Sequence, residues 1–357
     1  MRNSSGTYQK TGAGARDARM DNVRGILIMI VVIGHFLLPL ERTRFVTGLI
    51  YAIYVFHMPC FMILSGYFAH SVYKDGHFKW GKTVQILWLY FVYESIVNIT
   101  EGLVAGYIPL IPDYFHESGA PWYLMSLATY YLTIPVFDRF RKDPAQGFLT
   151  VAVMMLAVSF AKYVIHIGDL FSFDRTLTLL PFFYFGYYGT PGMLGRYLQS
   201  SGSRIMNVLA IGILLIVFFC TYDHFMKYHL VVYGADYTRY LPEMRPYLWA
   251  LNLFWYVLAF MVSLGVTGLA PAMRLPCITS LGRRTLQIYI LHRPIRDLME
   301  YFGFYRGIDA NHKLHVIFVL LLSVMLTLIL GSRYLEGPFA KLRSVFDPLL
   351  EKYGGLW

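Results

Sequence analysis

Charged side chains are scarce in this sequence. Only 15% of its 357 residues are Asp, Glu, Lys or Arg, whereas 57% are hydrophobic and the mean hydropathy is +0.49. Soluble globular proteins contain about a quarter charged residues, which cover the surface that faces water. The shortage of charge therefore excludes an ordinary soluble domain and indicates a protein that crosses a membrane several times.

Cysteine is scarce as well. Cys60, Cys220 and Cys277 lie far apart along the chain, without the close spacing of a metal site or the even number of a disulfide framework. We expect them to act as small buried apolar side chains. The sequence therefore predicts neither a disulfide-stabilised fold nor a bound metal.

Apolar stretches long enough to span a bilayer recur along the whole chain. They predict an all-α integral membrane protein with about ten transmembrane helices. The predicted helices are residues 24–40, 47–72, 83–106, 121–138, 148–166, 176–191, 205–222, 247–268, 281–300 and 314–334.

The distribution of basic residues predicts the orientation of these helices. Most of the 31 Lys and Arg residues lie in the N-terminal segment, in alternate loops and at the C-terminus. By the positive-inside rule, both termini are then cytoplasmic, and the loops 107–120 and 223–246 lie on the outer side. Membrane topology thus accounts for the net charge of +10, and we expect no nucleic-acid partner.

The chain divides into three predicted parts. Residues 1–22 are polar and lack the apolar core of a cleavable signal peptide, so we expect a disordered cytoplasmic tail. Residues 23–335 form the ten-helix membrane domain. Residues 336–357 mix basic and aromatic side chains, which is typical of an amphipathic tail that lies on the cytoplasmic membrane surface.

An ionisable side chain lies in the middle of the first apolar segment. His35 follows Arg24 after ten intervening residues. Eleven helical steps make three turns plus roughly 20°, so the two side chains share one face, about 16 Å apart along the axis. Inserting such a group at this depth costs roughly 2.5 to 3.5 kcal/mol, which favours a functional role for His35.

Three further ionisable side chains are predicted at the depth of His35. A rise of about 1.5 Å per residue places His57, Glu94 and His292 about 15 to 18 Å deep in a core about 30 Å thick. A hydrogen bond between helices explains any one of them equally well. Such bonds contribute only about 0.6 kcal/mol on average, so four groups at one depth favour a functional site.

The second predicted helix contains residues that distort it or open its surface. Pro59 removes a helix hydrogen bond, which predicts a kink near His57. Ser65 and Gly66 offer a hydroxyl group and exposed backbone to a ligand, although close packing of two helices explains them as well. Trp122 follows Pro121 at the outer end of a helix, where we expect it to anchor the chain at the membrane surface.

These residues carry a resemblance to a known family. Arg24, ten intervening residues and His35 resemble the basic-x10-His signature of the membrane acyltransferase-3 family. The segment FHMPCFMILSGY at 56–67 resembles a motif of its branch related to fucose 4-O-acetylases. PWYL at 121–124 and SLGRRTLQIYILHRPI at 280–295 are similar to two later motifs. The resemblance covers essentially the whole chain.

The resemblance implies a membrane O-acyltransferase. Members of the family move an acyl group, usually acetyl, from cytosolic acyl-CoA to a hydroxyl group of a cell-surface glycan or glycolipid. The family's essential histidine and its basic partner correspond to His35 and Arg24. Acetyl-CoA is then a co-substrate, no metal is needed, and the other partners are a glycan or lipid-linked sugar acceptor and the bilayer of the plasma membrane.

A mechanistic hypothesis assigns roles to the polar side chains at the predicted midplane. His35 is expected to act as the general base on the acceptor hydroxyl, and Glu94 to orient its ring. His57, Ser65 and His292 are expected to donate to the developing oxyanion or to position the acceptor. A covalent acyl-histidine at His35 remains an alternative to direct transfer.

Basic residues at the inner face are expected to bind the donor. Coenzyme A carries several phosphate charges, so its nucleotide should stay at the cytoplasmic surface while the narrow pantetheine arm reaches about 16 Å inward. Arg24, Lys82 and Arg284 are the candidates that would hold the phosphates through charge-assisted hydrogen bonds.

Two other classes of function fit part of the pattern. A proton-coupled transporter of a small polar substrate is the main alternative, because midplane His and Glu side chains also form proton relays. Many transporters contain inverted repeats, and none is evident in this sequence. A non-catalytic scaffold in polysaccharide assembly is the other alternative. The acceptor, the acyl chain length, the leaflet and the oligomeric state stay open.

Overall fold

The described part of the chain is almost entirely helical, apart from a two-stranded hairpin formed by Tyr73–Lys74 and His77–Phe78. The computed structural model describes residues 18–40, 43–107, 109–116, 119–164, 170–224 and 246–348. Most of the predicted N-terminal tail, nearly all of the loop 223–246 and the end of the C-terminal tail lie outside these residues. The helices are α1 (Ala18–Leu37), α2 (Arg44–Tyr54), α3 (His57–Phe68), α4 (Trp80–Ala105), α5 (Trp122–Phe137), α6 (Pro144–Val164), α7 (Phe173–Tyr188), α8 (Pro191–Gln199), α9 (Ser201–His224), α10 (Leu248–Leu269), α11 (Pro276–Arg283), α12 (Thr285–Tyr301), α13 (Lys313–Leu330) and α14 (Glu336–Arg343).

Six helical segments in the described residues are long and apolar enough to cross a membrane. They are Ala18–Leu40, Arg44–Ser71, Pro144–Ala161, Ser201–Phe219, Leu248–Leu269 and Lys313–Leu330. The prediction of an all-α membrane protein is therefore confirmed. The other four predicted spans coincide with α4, α5, α7 and α12, which are shorter or less apolar. The total of about ten spans and the cytoplasmic termini stay predictions.

A break divides the second predicted span into α2 and α3. Pro59 has no N–H group, so the carbonyl of Val55 loses the hydrogen bond that a regular helix would give it. The backbone leaves helical geometry at Phe56, with φ −138° and ψ −19°. The imidazole of His57 donates instead to the carbonyl of Ile53, with 2.9 Å between Nδ1 and O. The kink predicted from Pro59 is confirmed, and it fixes the direction of the His57 ring.

A second break divides the predicted span 281–300. Arg284 has φ −117° and ψ 20°, which ends α11 and begins α12. The late helix therefore starts at Thr285, and Gly282 belongs to the short helix before it. This break gives α12 a direction independent of α11, and α12 contacts both α1 and α4.

Glycine residues allow two pairs of helices to pack backbone against backbone. A Cβ atom on Gly66 of α3 would overlap the carbonyl oxygen of Phe183 in α7, and one on Gly186 would overlap that of Ile63. At the interface of α1 and α11, a Cβ atom on Gly282 would overlap the carbonyl of Asp21. Small residues at such contacts let helix backbones approach closely within a membrane. They set the position of α3 and α1, which carry His57 and His35.

Polar contacts anchor the start of α1. Asn22 donates from Nδ2 to the carbonyls of Pro271 and Met273, at 2.8 Å each. Its Oδ1 atom accepts from Thr279, and the buried Asp21 pairs with Arg283 at 3.2 Å. Residues 18–22 were predicted as part of a tail, but they form the first turns of α1. The helix that carries Arg24 is therefore fixed from its first residue.

The C-terminal residues pack against the start of α4. The carbonyl of Leu342 in α14 accepts from Trp88 Nε1 at 2.9 Å, and the Asp347 carboxylate accepts from Gln85 Nε2 at 2.6 Å. The Phe346 ring contacts the Trp88 ring. The predicted surface-lying tail is thus attached to the helix bundle through Asp347, and its last residues lie outside the described part of the chain.

Candidate active site

Two neighbouring cavities open among α1, α3, α5 and α12. The first has a volume of about 200 Å³, and His35 and His57 are in its wall. The second has a volume of about 190 Å³, and Arg24 and Ser65 are in its wall. Val31, Met58 and Tyr289 contribute to the walls of both cavities, so they lie where the two cavities adjoin. We call these three side chains the partition. We call the first cavity the histidine cavity and the second the arginine cavity.

His35 is hydrogen-bonded to another histidine. Its Nδ1 atom lies 2.8 Å from Nε2 of His292, which α12 presents across the interface with α1. His292 is completely buried, whereas His35 is partly exposed. The second histidine therefore supports the ring of the first, and only the first borders the histidine cavity.

The hydrogen-bond partners determine which nitrogen carries the proton in each ring. His292 Nδ1 lies 2.7 Å from the carbonyl oxygen of Tyr289 and 3.2 Å from that of Ile288. Carbonyl oxygens only accept, so this nitrogen is protonated, and Nε2 of the neutral ring is an acceptor. Nδ1 of His35 must then donate to it. Nε2 of a neutral His35 is left with a free lone pair, as a general base requires.

His57 lies in the same cavity wall as His35. The Tyr54 ring is between them, with its centroid 6.3 Å from that of His35 and 4.7 Å from that of His57. Since Nδ1 of His57 donates to the carbonyl of Ile53, Nε2 of its neutral ring is an acceptor. This geometry suits positioning of an acceptor hydroxyl better than donation to an oxyanion.

Neither His292 nor Ser65 has a spare hydrogen for an oxyanion in this arrangement. Both nitrogens of neutral His292 are engaged, as described above. Ser65 Oγ donates to the carbonyl of Phe61 at 2.8 Å and lies 2.7 Å from the hydroxyl of Tyr123. Their hydrogen atoms are already used in these bonds, so the observed arrangement does not support the predicted role of either side chain as a donor to the oxyanion.

Glu94 is buried on α4, with an exposed fraction of 1%. Its Oε1 atom accepts from Asn98 Nδ2 at 3.0 Å. The sequence assigned the orientation of His35 to Glu94, but in the structure the hydrogen-bond partner of His35 is His292. A catalytic role for Glu94 stays a prediction.

The three predicted donor-binding cations lie in different surroundings. Arg24 is in the wall of the arginine cavity, with its guanidinium 4.3 Å from the centre of the Phe68 ring. Lys82 donates to the hydroxyl of Ser71. Arg284 pairs with Glu336 of α14 at 2.8 Å. Of these three cations, Arg24 is the one in the wall of the two cavities described above, and the pairing of Arg284 with Glu336 was not predicted from the sequence.

Aromatic and basic side chains complete the histidine cavity. Trp122 is only 7% exposed and contributes to the cavity wall, whereas the sequence predicted an anchor at the membrane surface. Trp255 of α10 is 4% exposed, and its Nε1 has no hydrogen-bond partner among the described residues. Arg175 and Arg293 bring positive charge to the wall. Hydropathy alone did not reveal these residues, although Arg293 follows His292 directly in the late motif.

No group of three or more His, Cys, Asp or Glu side chains in the described residues is arranged to hold a metal ion. The polar groups at the site are instead imidazoles, guanidinium groups, an indole N–H and hydroxyl groups. Such a set performs proton transfer and stabilises negative charge.

Comparison with known proteins identifies the family. Residues 17–332 match the family model for the acyltransferase-3 type of acyltransferase domain. The chain is 31% identical over 146 residues to the nodulation protein NolL of Sinorhizobium fredii, and 24% identical over 185 residues to that of Mesorhizobium japonicum. These matches cover 36% and 48% of this chain and 39% and 49% of the two relatives. No solved structure matches significantly. The chain belongs to the membrane acyltransferase-3 family.

Proposed function

We propose that this protein moves an acetyl or other short acyl group from cytosolic acyl-CoA to a hydroxyl group of a cell-surface glycan or glycolipid, at the plasma membrane. The observation that carries the proposal is the hydrogen bond from His35 to His292 at the wall of a cavity. It leaves Nε2 of His35 as a base within reach of a substrate. Membership of an acyltransferase family favours this reaction over the proton-coupled transporter.

The donor enters on the side of Arg24. The arginine cavity lies toward the predicted cytoplasmic end of α1, and Arg24 there binds a phosphate group of acyl-CoA through charge-assisted hydrogen bonds. The pantetheine arm extends along the cavity toward Met58 and Tyr289, which separate it from His35. The separation of about 16 Å between Arg24 and His35 along a helix is suited to that arm.

The acceptor enters the histidine cavity, where His57 and Trp122 contribute to the wall. Nε2 of His35 removes the proton of the acceptor hydroxyl as its oxygen attacks the thioester carbonyl carbon. The carbonyl electrons move to the oxygen, which becomes an oxyanion. When the intermediate collapses, the bond from carbon to sulfur breaks, and the coenzyme A thiolate takes the proton from His35.

The experiment compares His35→Ala with His312→Ala, which removes an exposed histidine on a described loop. Purified protein in liposomes is given acetyl-CoA and a methyl hexoside, and released coenzyme A and acetylated sugar are measured. His35→Ala should lose at least about a hundredfold in rate, the usual contribution of a general base. His312→Ala should match the wild type. Near-normal acetylation by His35→Ala would remove the residue from the chemistry.

A separate measurement distinguishes direct transfer from an acyl-histidine intermediate. Protein incubated with labelled acetyl-CoA and no acceptor is denatured and digested. Direct transfer leaves no label on the peptide that contains His35, while covalent catalysis leaves an acetyl group there.

A further inference from the structure

Arg293 of α12 is a cation in the wall of the histidine cavity, and two acidic side chains hold its guanidinium group. Its Nε atom donates to both carboxylate oxygens of Asp297, at 3.0 and 3.2 Å, and its Nη2 atom donates to Glu101 of α4. The side chain is 12% exposed and Asp297 is 1% exposed. Two carboxylates from two helices thus hold the guanidinium in a single orientation.

The third nitrogen of this guanidinium, Nη1, makes no hydrogen bond within the described part of the chain. No described residue accepts a hydrogen bond from Nη1 of Arg293, although the group lies among residues that form the wall of the histidine cavity. Gly119 in that wall has φ +76°, and a Cβ atom there would lie 3.1 Å from Nη1. The glycine therefore leaves the space in front of this nitrogen open.

The charge cluster of Arg293, Asp297 and Glu101 is costly to place inside a membrane protein. Removing paired charges from water costs several kcal/mol per ion, and well-packed apolar side chains in their place often give a fold of equal or higher stability. Ionisable groups at membrane depth are accordingly rare and functional. The cluster fixes Arg293 one residue after His292, so α12 supplies both the partner of His35 and a fixed hydrogen-bond donor beside the same cavity.

We propose that Arg293 is a catalytic residue whose Nη1 donates to the thioester carbonyl oxygen as that oxygen becomes an oxyanion. The proposal rests on the acyl transfer proposed above. A donor held in place before the reaction stabilises developing charge without reorganisation, and removing one such donor from an enzyme typically lowers kcat by about 10² to 10³. Glu101 and Asp297 are then positioning residues, because they act on the substrate only through Arg293.

The test uses two variants with different risks for folding. Arg293→Gln removes one of the two cations that contact Asp297, which keeps Arg296 and the Thr100 hydroxyl as partners, and it takes the cation away from the half-buried Glu101. Losing a cation from a buried charge cluster endangers folding. Gly119→Ala keeps all the ion pairs and places a methyl group against Nη1. Its matched control is Gly106→Ala, because Gly106 also has a positive φ, of +85°, and nothing lies near the added atom. Any loss specific to Gly119→Ala then reflects Arg293 and not backbone strain.

Coenzyme A release and sugar acetylation are measured with acetyl-CoA and methyl glucoside, together with thermal unfolding of each variant. Arg293→Gln should lower kcat by about 10² or more, and Gly119→Ala by at least about tenfold, with the KM of both substrates nearly unchanged. Gly106→Ala should retain the wild-type kcat. A raised KM for methyl glucoside with normal kcat would instead make Arg293 an acceptor-binding residue and overturn the proposal.

These measurements distinguish a failure of the proposed role of Arg293 from a failure of the proposed acyl transfer. An active wild type whose Gly119→Ala variant keeps a normal kcat overturns the role of Arg293 alone. A folded wild type that releases no coenzyme A and acetylates no sugar overturns both. Replacing Glu101 by Gln gives a third measurement, because an uncharged amide oxygen holds Nη2 more weakly while Asp297 still holds Nε. We expect a smaller loss of kcat than for Arg293→Gln.

Discussion

His292 Nε2 accepts a hydrogen bond from His35 Nδ1 over 2.8 Å, across the interface between α1 and α12. The acceptor is an imidazole whose other nitrogen is bound by the carbonyl of Tyr289. A second imidazole, held by a backbone carbonyl, thus stands where many hydrolases and transferases use a carboxylate to orient the catalytic histidine. No charged group is needed to fix the tautomer of His35.

Replacing His292 should therefore lower the rate without weakening substrate binding. His292→Phe keeps a planar ring but offers no acceptor to His35, and we expect kcat to fall at least about tenfold with an unchanged KM for acetyl-CoA. His292→Gln restores an acceptor oxygen near the position of Nε2, so it should lose less. A Phe variant as active as the Gln variant would contradict the orienting role.

Replacing Arg24 should chiefly weaken binding of the donor. Arg24→Ala loses the charge-assisted hydrogen bonds to phosphate, and we expect the KM for acetyl-CoA to rise by about tenfold or more with a smaller change in kcat. Arg274→Ala is the control, because Arg274 is exposed on the loop between α10 and α11. Unchanged donor affinity and rate in Arg24→Ala would reduce Arg24 to a residue that sets membrane topology.

Replacing Gly66 should destabilise the packing of α3 on α7. The added Cβ atom would overlap the carbonyl of Phe183, so the helices must separate, and such overpacking typically costs about 1 to 3 kcal/mol. Gly212→Ala in α9 is the control, since nothing lies near the added atom and alanine is the better helix former by about 0.5 to 1 kcal/mol. Thermal unfolding in detergent should show a lower Tm than the wild type for Gly66→Ala and no decrease for Gly212→Ala.

Replacing Trp255 should weaken binding of the acceptor. Trp255→Phe keeps an aromatic ring in the wall of the histidine cavity and removes only the buried N–H group, which has no partner among the described residues. If that group donates to an acceptor hydroxyl, losing the hydrogen bond costs about 1 kcal/mol of binding free energy, which raises the KM for methyl glucoside roughly fivefold. Trp249→Phe, on the same helix and stacked on Phe160, should bind the sugar normally. Equal KM values for the two variants would refute the contact.

The constant rise of a helix was sufficient to predict that His35 and His292 lie at the same level, although their depth in the membrane stays a prediction. Counting residues from the membrane surface placed His35 and His292 at one level, and the structure joins them. The sequence could not predict which side chain at that level faces His35, because this depends on how each helix is rotated and on the break at Arg284. Glu94 was therefore assigned a contact that His292 makes.

Residues that other helices contribute to the cavity wall were harder to predict from the sequence. Trp255 lies in a span with no distinctive motif, and its position in the cavity wall follows from the packing of α10 against α3. Trp122 follows Pro121 at the end of α5, which is typical of a surface anchor, yet the helices around it cover it almost completely. Such placements depend on tertiary packing, which hydropathy does not report.

The partition made by Val31, Met58 and Tyr289 bears on the integrity of the membrane itself. A protein that takes one reactant from the cytosol and another from outside would leak protons and ions if an open water-filled pore joined the two entrances. These three side chains stand between two separate chambers, each of only about 200 Å³. Met58 is the flexible member of the three, so movement of its side chain could join the two chambers through a narrow passage without separating the helices.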